Sequence, residues 1–262
     1  RRDITHTITA EDLFTATTNR DTTRSSNFYG LGYLFDNRSS DYIWGFQAGA
    51  STFFGDSKII GEVFTSLSYN IDSTFTIGKL TLAPVLTQNS LSQDIYKAQA
   101  EIYREDFWFG DLIVTSVSGS AKYYTNNVFE YDGVGRAYLQ PWNKTYRGRL
   151  ITELAFADAS KTFTSGTPFY TPDNLFVQGV GLDFRFRKPN DYEYKTLIDV
   201  EVMGKHEQKD GVFFTGRATL EHKFTNYWQF KVGTDFSTSK LYRSNSLFFT
   251  ISHYFRKKNF IK

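Results

Sequence analysis

Large apolar side chains alternate with small or polar ones along most of this chain, with a period of two residues. A strand sends successive side chains to opposite faces, so the pattern predicts strands with one greasy and one mixed face. The last run, 244–255, sets Leu247, Phe249, Ile251 and Phe255 in one stripe, broken by His253, against Ser246, Thr250 and Ser252. Earlier runs repeat the arrangement. Tyr29, Leu31, Tyr33 and Phe35 oppose Gly30 and Gly32, while Tyr42, Trp44, Phe46, Ala48 and Ala50 oppose Gly45, Gln47 and Gly49. Val63, Leu67, Tyr69 and Ile71 oppose Glu62, Ser66, Ser68 and Asn70. In 74–86 the apolar face is Leu80, Leu82, Pro84 and Leu86, and a mid-strand proline, which donates no ladder hydrogen bond, predicts a bulge. The Thr-rich stretch 4–18 alternates poorly and is read as a first strand followed by a polar loop, 19–26.

Further along, the polar face turns ionic. Lys97, Gln99 and Glu101 oppose Ala98, Ala100 and Ile102; Glu130, Asp132 and Arg136 oppose Phe129, Tyr131 and Leu139. Arg147, Arg149 and Glu153 oppose Leu150, Leu154 and Phe156, and Asp183, Arg185 and Arg187 oppose Leu182, Phe184 and Phe186. Lys195, Asp199, Glu201 and Lys205 oppose Ile198, Val200 and Val202. Arg217, Glu221 and Lys223 oppose Phe214, Ala218 and Leu220; Lys231 and Asp235 oppose Phe230, Val232 and Phe236.

The pattern yields about fourteen strands of roughly ten to fourteen residues, the length a tilted strand needs to cross hydrocarbon. The predicted fold is all-β: a closed antiparallel transmembrane β-barrel occupying 1–255 as a single domain, with 256–262 a basic tail. Connections on one side include long ones (19–26, 87–94, 159–174, 239–245), and those on the other are short (37–40, 72–73, 143–144, 188–190, 225–226). Long outer loops and short periplasmic turns are the asymmetry of bacterial outer-membrane barrels, so both termini and the tail are expected in the periplasm. Tyr42, Trp44, Trp108, Trp142, Trp228 and Phe255 fall near strand ends, as an aromatic interface girdle would.

Composition narrows the classes. Aromatic residues make up 18% of the 262, although the mean hydropathy is −0.41, a combination suited to a wall with one lipid and one wet face. No run approaches the roughly 18 apolar residues of a spanning helix. Without cysteine there are neither disulfides nor thiolate metal sites. Thirty basic and 28 acidic side chains nearly cancel and are interleaved, unlike a nucleic-acid footprint. The chain starts Arg1-Arg2 with no apolar signal core, which reads as a mature form or part of a longer precursor.

Chemistry is sparse. The four histidines are His6, His206, His222 and His253, and His222 and His253 fall on the lipid-facing register two residues before a strand-ending Phe, a place for interface anchors. No metal spacing and no phosphate-binding glycine loop occurs, so the reading assigns no catalytic residue, metal or cofactor, and no enzyme activity. G-L-G (Gly30, Gly32) and G-V-G (Gly133, Gly135; Gly179, Gly181) lie inside strands, where glycine eases curvature or close approach.

Fourteen strands close a ring roughly 28 Å across the backbone. The residues predicted to line its lumen are Glu62, Lys97, Glu101, Glu130, Asp132, Arg136, Arg147, Arg149, Glu153, Asp183, Arg185, Arg187, Lys195, Asp199, Glu201, Arg217, Glu221, Lys231 and Asp235. Arg136, Arg147, Arg149, Arg185 and Arg187 would make a basic stripe for an anionic or hydroxyl-rich ligand, or be neutralised across strands by the acids. The near one-for-one alternation favours neutralisation and predicts weak ion selectivity.

The last third, about 167–255, carries P-F-Y-T-P-D-N (168–174), G-R-A-T-L-E-H-K-F (216–224) and a closing Y-R-S-N-S-L-F-F-T-I-S-H-Y-F. In these features it resembles the C-terminal barrel of polysaccharide exporters that carry periplasmic tetratricopeptide repeats, the cellulose and poly-N-acetylglucosamine secretins of Gram-negative bacteria. Those exporters are expected to have sixteen strands and a helical repeat region ahead of them, whereas about fourteen strands and no 34-residue period are read here. Fourteen-stranded monomeric porins, long-chain fatty-acid channels and surface-lipoprotein translocators fit the count. The expected function is an outer-membrane channel passing or exporting a hydrophilic solute or polysaccharide through a mixed-charge lumen. The alternatives are a plugged, non-conducting anchor barrel within an envelope assembly and, third, a barrel hydrolase. Expected partners are outer-membrane lipid, a polysaccharide or small solute in the lumen, and a periplasmic partner or upstream repeat domain.

Overall fold

The computed structural model describes residues 2–19, 22–39, 44–54, 59–71, 73–85, 90, 93–110, 112–142, 146–161, 171–186, 196–209, 211–225, 227–239 and 243–254. Fourteen antiparallel strands form a closed barrel in which each strand pairs with its sequence neighbours and the last pairs with the first. They are β1 (Arg2–Asn19), β2 (Thr22–Ser39), β3 (Trp44–Phe54), β4 (Ile59–Ile71), β5 (Thr74–Pro84), β6 (Tyr96–Trp108) and β7 (Ile113–Tyr124). The others are β8 (Val128–Trp142), β9 (Tyr146–Ala159), β10 (Leu175–Phe186), β11 (Thr196–Glu207), β12 (Gly211–Lys223), β13 (Trp228–Thr238) and β14 (Arg243–Tyr254). Closure leaves no sheet edge, so the ladder groups are satisfied within the wall, as a membrane requires.

Ladder closure runs from Thr7↔Tyr254 to Thr18↔Arg243. An even strand count brings both ends of the sheet to one rim, called here the terminal rim.

Pleat parity does the sorting. Leu31, Leu67, Leu80, Ile102, Val117, Leu154, Val180, Phe214 and Leu247 all lie exposed on the outside, a band of apolar side chains that no water-facing surface would favour. Their sequence neighbours point into the barrel. This is the fold of a bacterial outer-membrane β-barrel. Among the described residues, close approach of one strand's backbone to another's lies almost wholly between hydrogen-bonded neighbours.

Two expectations are corrected. Most of the polar stretch 19–26 belongs to strands: Asn19 pairs with Thr22 and Thr15 with Ser26, so β1 and β2 run on as a hairpin of two 18-residue strands. Paired threonines and serines sustain a ladder where apolar alternation is missing. Pro84 does not cause a bulge, because it is the final residue of β5, paired with Tyr96 in regular register where the ladder ends anyway. The register shift lies instead between Leu139 and Trp142, where β8 gains one residue against β9 around Pro141. Finally, 187–195, read as strand ends around a turn at 188–190, lies between β10 and β11 and outside the described residues, with Arg187 and Lys195. Tyr42 and Phe255 also lie outside them, as do the side chains of Trp142 and Arg147.

Candidate functional site

The inward register carries the ionic residues, and it sets acids opposite bases on adjoining strands. Lys122 faces Glu130, Arg136 faces Glu153, Arg149 faces Asp183, Arg185 faces Asp199 and Arg217 faces Asp235. Each becomes a contact: Lys122 Nζ is 2.6 Å from Glu130 and 2.8 Å from Asp132, Arg136 is 2.7 Å from Glu153, and Arg185 is 2.5 Å from Asp199. Arg217 is 2.6 Å from Asp235, and Arg149 donates to Asp183. Directly opposed unlike charges contribute about 0.2–1 kcal/mol each, so these pairs brace the wall as they cancel its charge.

Two contacts reach past intervening strands, the first over one and the second over two. Lys205 on β11 is 2.6 Å from Glu153 on β9, and Arg136 on β8 reaches Glu201 on β11 at 3.2 Å. Gly179 stands in register with both Glu153 and Lys205, and a Cβ there would come within 3.2 Å of Met203 Cε and 3.3 Å of Lys205 Cγ. Gly181 is tighter, since a Cβ would meet Val202 O at 2.3 Å and Met203 Cγ at 2.6 Å. The two glycines therefore form a trough in β10 across which Met203 and Lys205 lie. Here the G-V-G pair serves close approach.

Hydroxyls complete the cluster: Tyr124 donates to Glu130 at 2.9 Å and Ser120 to Asp132 at 2.6 Å. Beneath it Val114, Tyr138, Ile151 and Met203 make a buried apolar knot with Phe107 at its margin, although all five sit on the inward register. Arg149 lies over the Tyr138 ring, 4.6 Å from its centroid.

The other predicted lining residues are placed more openly. Glu101 lies 4.0 Å from Lys79, Glu221 stands opposite Lys231, and Glu62 and Lys97 line β4 and β6. Lys79, Lys122 and Lys205 belong with the lining, as do the inward aromatics Phe64, Tyr138 and Phe248. Inward Phe64 and Phe248 were hidden because each lies beside outward apolar residues, yet strand parity alone would have singled them out.

Three histidines sit in aromatic settings on the outward register. His6 Nδ1 is 2.5 Å from Tyr33 Oη, His222 Nδ1 is 2.8 Å from Thr196 Oγ1, and His253 packs on Trp228 with centroids 4.4 Å apart. His206 is exposed at the opposite rim, across from Val212. Trp108, predicted for the girdle, donates from Nε1 to Thr115 Oγ1 at 3.0 Å. Trp228 is exposed beside the terminal rim and Trp44 is half-buried there.

No family profile matches the chain, and no curated protein does. Among solved structures it is similar to a bacterial polysaccharide outer membrane secretin, with a TM-score of 0.67 at 10% identity over 97% of this chain and 98% of that one. It also matches OmpT, an outer membrane protein of Vibrio cholerae, with a TM-score of 0.41 at 10% identity over 97% of each chain. A third match is the KdgM porin in complex with disordered oligogalacturonate, with a TM-score of 0.43 at 8% identity, over 95% of this chain and 99% of that one. At these identities the likeness is one of fold.

Proposed function

We propose that this barrel is a passive outer-membrane conduit for a hydrophilic solute or polysaccharide, with its termini in the periplasm and no bond-making chemistry of its own. The observation that carries the reading is the lumen wall: a lining whose ionic groups neutralise one another across adjoining strands of a closed barrel. The 0.67 likeness to a polysaccharide secretin barrel supports it and suggests a sugar polymer as cargo. Because the ionic groups offset one another, the conduit discriminates weakly between small cations and anions.

The deciding experiment is conductance of the purified barrel in planar bilayers. A steady conductance with a reversal potential near zero in a potassium chloride gradient is expected. A second reading, a plugged anchor barrel, draws on one feature: Ser90 and Ile95 between β5 and β6, and Thr171 before β10, are buried at the rim away from the termini. A silent bilayer would favour that reading.

A further inference from the structure

The lumen wall is unevenly packed. On the arc β7–β11 the inward side chains cover one another: Val114 is 1% exposed, Ile151 and Met203 0%, and the Asp183 side chain 2%. Ile95, from the connection between β5 and β6, packs on Tyr124 and Val128 and so covers the same side at the opposite rim. On the arc that runs from β12 through the β14–β1 closure to β6, Thr7, Ser66 and Ala83 are buried on the same register, but the inward ion pairs are wetter than those of β7–β11. Arg217 and Asp235 are 66% and 38% exposed, and Lys79 and Glu101 37% and 39%.

Two of the inward aromatic rings on this arc are built alike. Phe64 on β4 is in register with Gly49 on β3, and Phe248 on β14 with Gly233 on β13. Each ring occupies the space where the glycine's Cβ would stand, 2.4 Å from the nearest ring carbon in both cases. Each also has a lysine ammonium close by, Lys79 at 5.0 Å from the Phe64 centroid and Lys231 at 5.6 Å from that of Phe248. Glycine lets the ring lie against the wall, and the ammonium stands over the ring, where it adds hydrogen-bond donors.

We propose that the conduit is eccentric: a sugar chain in transit follows the β12–β6 arc and is held there by Phe64 and Phe248, while the β7–β11 arc is a buttress it does not touch. The proposal rests on the channel reading above and adds its contact surface and ligand class. A pyranose ring offers an apolar C–H face to an aromatic ring and hydroxyls to a neighbouring ammonium. On the same arc Lys79 faces Glu101, Arg217 faces Asp235 and Lys231 faces Glu221, so a polyanion meets no excess of positive charge. The fitting ligand is a neutral, hydroxyl-rich oligosaccharide.

The chain contains no cysteine, which makes accessibility directly measurable. Single cysteines at Arg217 and Thr250 on the wet arc, and at Val114 and Met203 on the buttress, are labelled with a charged thiosulfonate in micelles and followed by mass, with heat-modifiable gel mobility confirming folding. The wet-arc sites should react at least roughly ten times faster. Calorimetry with cellohexaose should show binding that weakens roughly tenfold in the double variant Phe64→Leu, Phe248→Leu, which keeps side-chain bulk and loses the flat face. Equal labelling on both arcs, unchanged affinity in the double variant, no cellohexaose binding, or tighter binding of a hexameric polyuronate would each overturn the proposal. Conductance measured on the same preparation separates the two readings. A conducting barrel that ignores cellohexaose sinks the contact surface and leaves the channel, whereas a silent barrel that binds it in a Phe64- and Phe248-dependent way does the reverse.

Discussion

Lys205 Nζ lies 2.6 Å from Glu153 Oε1 even though the whole of strand β10 runs between their backbones. The bridge exists because Gly179, in register with both, raises no side chain between them. A salt bridge between second-neighbour strands ties three strands together, where a pair on adjoining strands ties two.

Substituting the trough glycines tests this directly. Gly181→Ala places a methyl group against Val202 O and Met203 Cα, which is backbone and cannot swing aside, so a loss of about 1–3 kcal/mol is expected from overpacking. Gly179→Ala meets only the flexible Met203 and Lys205 side chains and should cost less. Urea unfolding in phospholipid vesicles, followed by tryptophan fluorescence, ranks the two variants, and the reverse order would refute the trough.

Removing the acid at the centre of the bridge should matter more than removing an acid at the wet side. Glu153 is 3% exposed and serves both Arg136 and Lys205. Glu153→Gln leaves Lys205 without its counter-charge and is expected to cost about 3 kcal/mol, the low end for a broken buried pair because Arg136 retains Glu201. Asp235→Asn, at a pair open to water, should change stability by under about 1 kcal/mol. The same unfolding assay applies.

The two faces of the wall can be separated by one substitution on each at similar height. Leu67 is exposed on the outside of β4, and the adjacent Ser66 pairs with inward Gln47 on β3. Leu67→Arg should cost about 2 kcal/mol in a bilayer, whereas Gln47→Arg, pointing into water beside Asp36, should cost under about 1. Equal costs measured in vesicles would mean that the outer face does not meet hydrocarbon.

Charge reversal probes the lumen as a conduit. Arg217 is the most exposed of the paired lining bases, so Arg217→Glu, beside Asp235, should shift the reversal potential toward cation preference. Lys122→Gln, on the covered arc, should shift it much less. Bilayer recordings in a potassium chloride gradient read both.

The strands and their faces were legible in the residue order because they depend on a local rule: parity of neighbours along one chain, read against two solvents. Leu150, Leu154 and Phe156 needed no partner to declare themselves apolar and same-sided, and Arg149 and Glu153 declared the other side just as locally. The hairpin of β1 and β2 was illegible for the same reason, since Thr and Ser belong equally to a loop and to a ladder, and only pairing such as Asn19↔Thr22 distinguishes them.

By itself, then, the order of residues determined that this is an alternating all-β wall with about fourteen crossings and charged groups on its inner side, because side-chain direction in a strand repeats every two residues. Tertiary structure alone decided which charge meets which, that Pro141 and not Pro84 sits at the bulge, and that Val114, Ile151 and Met203 are packed on the inner face while Arg217 and Asp235 stay wet. Those outcomes depend on register and closure, which set distances between residues far apart in sequence, and no local pattern encodes the absence of a side chain at Gly179 as a path from Glu153 to Lys205.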